Sequence, residues 1–124
     1  MINFWLDCGL KNRMIGIEID EDVARKTQKR LSIFANVSIL AGDAAENCPA
    51  DGTLFYLYNP FNGDVLAKFL NKVLDVCPAK ESIRIVYNVP RHIDIVLPDS
   101  RWEIKNLETG IQEPACLISP GSPA

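Results

Sequence analysis

Two carboxylates and one amide in this chain stand directly behind apolar runs, where a folded sheet would present them to a ligand. The first, Glu18, closes Met14-Ile15-Gly16-Ile17-Glu18-Ile19-Asp20. An acid at the carboxyl end of a parallel strand sits where open α/β sheets bind ligands, and its two oxygens can accept both hydroxyls of a ribose. The same stretch reads equally well as a strand whose acids, Glu18 and Asp20, cap and solubilise the helix that begins at Glu21. The second acid, Asp43, lies in Ala41-Gly42-Asp43-Ala44, again just past a short apolar run. The amide is Asn59, in Asn59-Pro60-Phe61, which halts the run Thr53 to Tyr58. Taken alone, that tripeptide reads as a turn in which Asn caps, Pro stiffens and Phe plugs the core. His92, the single histidine, is either a base near a substrate or a solvated loop residue after Pro90. Tyr87 and Asn88 stand at the end of the last parallel strand, whereas Tyr56 and Tyr58 read as packed strand residues.

The elements that must position these residues follow from periodicity. Met14 to Asp20 has the β-branched, apolar character of a strand buried on both faces. Before it, Met1 to Cys8 is read as a helix tail stopped by Gly9. A parallel strand there would leave only Leu10 to Arg13 for a crossover that needs a dozen or more residues. Glu21 to Ala35 predicts a helix with Val23, Leu31 and Phe34 on its apolar face and Arg25, Lys26, Lys29 and Arg30 on a solvated one. Val37 to Leu40 and Thr53 to Tyr58 predict strands, separated by turn chemistry at Asn47 to Gly52. Asn62-Gly63-Asp64 opens a second helix, with Val65, Leu66, Phe69, Leu70, Val73 and Leu74 facing inward and Pro78 ending it. Ser82 to Val89 is a further strand, and Arg91 to Leu97 a helical turn or packed loop. Trp102 to Leu107 and Ala115 to Ser119 form a final strand pair before a disordered tail, Pro120 to Ala124. Strands alternating with helices over the first ninety residues predict an α/β, Rossmann-like, mainly parallel sheet with flanking helices and an antiparallel C-terminal strand pair.

The totals narrow the function. A chain of 124 residues with 48% apolar content fits one domain, placed at residues 1–119. Thirteen basic against sixteen acidic side chains give a net charge of −3, which argues against a surface that wraps nucleic acid through phosphate contacts and for a small-molecule or protein partner. Cys8, Cys48, Cys77 and Cys116 lie far apart with no CxxC pair, so they read as reduced core thiols in a cytoplasmic protein, with no metal site. No apolar run approaches the roughly 18 residues of a membrane span, and no signal-peptide pattern is present.

In order, IGIEID, NVSILAGDA and LFYLYNPF resemble the body of a class I S-adenosylmethionine-dependent methyltransferase, over roughly Leu10 to Pro90. The resemblance implies S-adenosylmethionine as cofactor, with Glu18 holding its ribose, Ile19 lining the adenine, and Asp43, with Ala44 beside it, at the adenine amino group. It also implies that Asn59, Pro60 and Phe61 face the substrate and that the methyl acceptor is a nitrogen. The residue types suit this, since an Asn side-chain oxygen and a Pro carbonyl accept an amine's hydrogens and aim its lone pair. The Phe61 ring can pack on a planar substrate or a sulfonium.

The sequence departs from that family at its first strand and glycine-rich loop. Asp7-Cys8-Gly9 resembles the opening of the loop, but no second or third glycine follows. The expectation is an N-terminally truncated domain that begins after the loop, whose unpaired inner sheet edges close on each other, recruit another chain or stay aggregation-prone, hence a homo-oligomer or a fragment that needs its N-terminal part. Two further readings stand beside it. One is a catalytically silent Rossmann-like module used for binding or dimerisation. The other is a nicotinamide-dinucleotide domain, against which the lack of GxGxxG counts.

Overall fold

The computed structural model of the chain describes residues 2–58, 62–78, 80–107 and 115–121. Its contacts divide it into two compact units, Met1–Asn47 and Cys48–Ala124.

The first unit opens with helix α1 (Ile2–Asp7), as the crossover argument requires. Gly9 stops it in the left-handed region at φ 79°. The Leu10 N–H reaches the Trp5 carbonyl and the Gly9 N–H the Leu6 carbonyl, the pair of bonds that closes a helix on a glycine. Strand β1 (Met14–Glu18) pairs in parallel with β2 (Val37–Ala41), Met14 opposite Val37 and Glu18 opposite Ala41. Helix α2 (Glu21–Leu31) makes the crossover between them. Met14, Leu31 and Val37 form the core of this unit, with Ile2, Trp5, Leu6 and Ile39 packed on it.

Three features of this unit differ from expectation. The strand β1 is not buried along its length: only Met14 is, and Ile15 to Glu18 are half-exposed. Helix α2 ends at Leu31 rather than Ala35, because the Ser32 hydroxyl donates to the Lys29 carbonyl and the chain turns through Phe34, whose N–H reaches the Leu31 carbonyl. Its buried face is therefore Ala24 and Leu31, while Val23 is 47% exposed and Phe34 36%.

Asp20 caps α2, its Oδ1 accepting the Asp22 N–H at 2.9 Å and the Val23 N–H at 3.1 Å. Replacing it with alanine orphans both donors, and thermal unfolding of Asp20→Ala is expected to show a loss of about 1 kcal/mol. Unchanged unfolding would mean that water serves these donors equally well.

In the second unit β3 (Leu54–Tyr58) pairs in parallel with β4 (Arg84–Asn88). Strand β6 (Ala115–Pro120) then joins β4 and β5 (Trp102–Leu107) in antiparallel fashion, giving the order β3-β4-β6-β5. The class is α/β as expected, but the six strands of the described residues lie in two sheets, and half of the strand pairings are antiparallel. Helix α3 (Gly63–Val76) is capped by Asn62, whose Oδ1 accepts the Val65 N–H, and it buries Leu66, Phe69, Leu70 and Val73. Short helix α4 (Ile93–Val96) follows β4 and buries Val96. Leu57, Cys77, Ile83, Ile85, Tyr87, Trp102, Ala115, Cys116 and Ile118 complete the buried apolar set of this unit. Pro120, assigned to a tail by sequence, is the last residue of β6 opposite Trp102, and the Gly121 N–H donates to the Arg101 carbonyl; Ser122 to Ala124 lie outside the described residues. Of the cysteines, Cys77 and Cys116 are buried, Cys48 is half-buried, and Cys8 is exposed beside the α1 stop rather than in a core.

Candidate functional site

The two carboxylates belong to the first unit and to adjacent strands. Glu18 ends β1 and Asp43 lies two residues beyond its register partner Ala41, so both occupy the carboxyl edge of the β1–β2 ladder. The Gly42 N–H donates to the Glu18 carbonyl at 2.9 Å, extending the ladder past the end of β2. Gly42 then turns the chain at φ 138°, a conformation L side chains rarely adopt, and a Cβ there would stand 2.7 Å from Asn47 Nδ2. Only glycine brings Asp43 to this edge without strain.

Each carboxylate uses one oxygen locally. Glu18 Oε1 accepts the Asp20 N–H at 3.2 Å. Asp43 Oδ1 accepts the Ala45 N–H at 2.7 Å and the Glu46 N–H at 3.2 Å, while its carbonyl receives Asn47 Nδ2 and the Asn47 N–H. Among the described residues no hydrogen bond reaches the second oxygen of either side chain, and that oxygen remains an acceptor for a ligand hydroxyl or amine. Ile19, beside Glu18, is 75% exposed, and Ala44 is half-buried next to Asp43.

In the second unit, Asn59, Pro60 and Phe61 lie outside the described residues, between Tyr58 at the end of β3 and the α3 cap Asn62. The neighbouring strand end is defined. Asn88, opposite Tyr58 in the register, donates from Nδ2 to the Tyr56 hydroxyl at 3.1 Å. Tyr87 is fully buried, its hydroxyl accepts the His92 N–H at 3.3 Å, and burial raises its pKa above the ordinary tyrosine value. His92 therefore holds α4 to β4 through its backbone, its ring half-buried at the cap position.

Between these residues Val89 stands at φ 51°, with the Arg91 N–H donating to its carbonyl. A β-branched residue in the left-handed region is strained, and such strain concentrates at ligand-contacting turns. Sequence reasoning singled out Tyr87 and Asn88 but not Val89. No residue-type signal marks it, because valine is the type least expected there. In the sequence Gly42 likewise stands out only as a neighbour of Asp43. Among the described residues no three His, Cys, Asp or Glu side chains gather into a metal site.

No protein-family model and no curated protein matches the chain. Solved structures do. The Escherichia coli protein yhhF, named as a methyltransferase, superposes with a TM-score of 0.64 at 16% identity, over 98% of this chain and 84% of its own. An rRNA methylase from Streptococcus thermophilus gives 0.56 at 20% identity, over 87% and 73%. The precorrin-6y C5,15-methyltransferase of Geobacter metallireducens gives 0.63 at 14% identity, over 89% and 67%. The chain has the fold of the class I methyltransferases. In that methyltransferase fold, parallel strands with crossover helices run into an antiparallel C-terminal pair, the order found here for α2 between β1 and β2 and for β5 with β6. Identities this low extend the likeness to the fold and no further.

Proposed function

We propose that this chain binds S-adenosylmethionine and directs its methyl group to a nitrogen acceptor. The observation that carries the proposal is the placement of Glu18 and Asp43 at the ends of adjacent parallel strands, each anchored through one oxygen and presenting the other. That pair of acceptors fits the nucleoside part of the cofactor. Glu18 accepts from the ribose hydroxyls, Ile19 supports the adenine ring, and Asp43, with Ala44 alongside, accepts from the adenine amino group. When bound, the cofactor supplies an electrophilic methyl on a sulfonium. The chain's own part is positioning: Asn59 and the Pro60 carbonyl accept the hydrogens of an amine and aim its lone pair, and Phe61 packs on a planar acceptor or the cation.

The acceptor class is an amine on a small molecule, a protein or a nucleic-acid base. Similar structures named as rRNA methylases bring RNA into this set against the expectation from net charge, because reading one extruded base needs few phosphate contacts. Calorimetric titration of the full chain with S-adenosylhomocysteine, followed by transfer of labelled methyl to amine acceptors, tests the reading. Asn59→Ala is expected to slow transfer by about a hundredfold while cofactor affinity stays unchanged, because it removes an aiming group and not a binding one. Absence of binding by folded protein would overturn the proposal and favour the catalytically silent module.

A further inference from the structure

A pair of thiols in the second unit belongs to no strand-end chemistry. Cys48 lies in the connector ahead of β3, and Cys77 is the C-cap of α3, 2% exposed. Both sulfurs converge on one acceptor, the Pro49 carbonyl oxygen, at 3.9 Å from Cys48 Sγ and 3.6 Å from Cys77 Sγ. Their common acceptor holds two reduced sulfurs, distant in sequence, around a single oxygen atom, and so brings them together as a candidate dithiol.

We propose that Cys48 and Cys77 are a modification site, closed to an intramolecular disulfide by exchange with a small-molecule disulfide such as oxidised glutathione. Cys48, the half-buried member, meets the reagent first. Its thiolate attacks one reagent sulfur, the reagent S–S bond breaks, and one reagent thiolate leaves and takes a proton from solvent. The Cys77 thiolate then attacks Cys48 Sγ, forming the Cys48–Cys77 bond and releasing the second reagent thiol. Two electrons pass from the protein dithiol to the reagent, and the two thiol protons end on the two released thiols. The closed form ties the Cys48 to Gly52 connector to the end of α3 and constrains the chain between them in the unfolded state.

The surroundings set the pace. Burial, followed by the neighbouring Cys77, pushes the Cys48 thiol up to about 11, with Lys72 pulling the other way. Burial raises Cys77 as well, the Cys48 S–H partly offsets this, and Asp51 adds to it. At neutral pH both thiols are therefore protonated and exchange is slow, accelerating about tenfold per pH unit as the thiolate fraction grows below 11.

The full chain carrying Cys8→Ser and Cys116→Ser is incubated with oxidised glutathione at several pH values, its remaining thiols are alkylated, and its peptides are mapped by mass. The expected result is a cross-linked peptide joining Cys48 to Cys77, formed faster at higher pH and reversed by dithiothreitol. The oxidised form should melt higher by on the order of 10 °C. The proposal is overturned if glutathione stays on Cys48 while Cys77 remains open to alkylation in denaturant. It is equally overturned if both thiols are recovered alkylated after long exposure at high pH. The wild-type chain, mapped in parallel, should yield the same Cys48–Cys77 peptide and decides between these outcomes should the double variant fold poorly.

Discussion

Glu18→Ala is expected to weaken binding of S-adenosylhomocysteine by roughly a hundredfold, the loss of about 3 kcal/mol that follows from removing a charged acceptor for two hydroxyls. Little else should change. The side chain is half-exposed at the end of β1, and its one internal bond is a 3.2 Å contact to the Asp20 N–H. Asp20 keeps its own bonds to the first turn of α2, so the helix start survives the substitution. Titration calorimetry on folded wild-type and variant protein separates the two meanings of this carboxylate. A ligand-binding Glu18 shows a large change in affinity with nearly constant melting temperature. A merely capping Glu18 shows constant affinity with a small drop in stability, and that outcome would remove the cofactor reading at this residue.

Phe69→Ala is expected to cost about 3–5 kcal/mol of stability, a large share of the 5–15 kcal/mol that holds an ordinary domain. Phe69 is 2% exposed on α3 and meets Phe55 of β3 edge-on, with ring centroids 5.6 Å apart and planes at 77°. Truncation removes both the buried ring and that aromatic pair, and the rigid strand beneath cannot collapse to fill the space. Urea unfolding should show the midpoint fall with little change in slope, whereas Phe69→Leu, which leaves a smaller void, should lose markedly less. A cost near 1 kcal/mol for the alanine variant would mean that α3 repacks on β3 in another way.

Much of this was written in the sequence, and the omissions have physical causes. The strands β2 to β6 and both long helices fall within one or two residues of their predicted places at most ends, because alternation and the 3.6-residue period are local signals. The early stop of α2 is different: it depends on where the Ser32 hydroxyl turns, toward the Lys29 carbonyl, and no propensity specifies that. The partial exposure of β1 depends on what covers it, which an apolar run does not report. For the candidate site, residue type and position marked Glu18 and Asp43 at strand ends. The division of labour between their two oxygens, the glycine conformation at Gly42 and the strained Val89 arise from backbone geometry, to which side-chain chemistry gives no guide.

The first unit rests on a two-stranded ladder and a core of three buried side chains, Met14, Leu31 and Val37. Both carboxylates are carried by the ends of these two strands, one on each. A ligand that bridges Glu18 and Asp43 therefore ties one strand end to the other and adds its binding free energy to the stability of the ladder that presents them. Recognition at such an edge is measurable as a gain in folding stability as well as in heat.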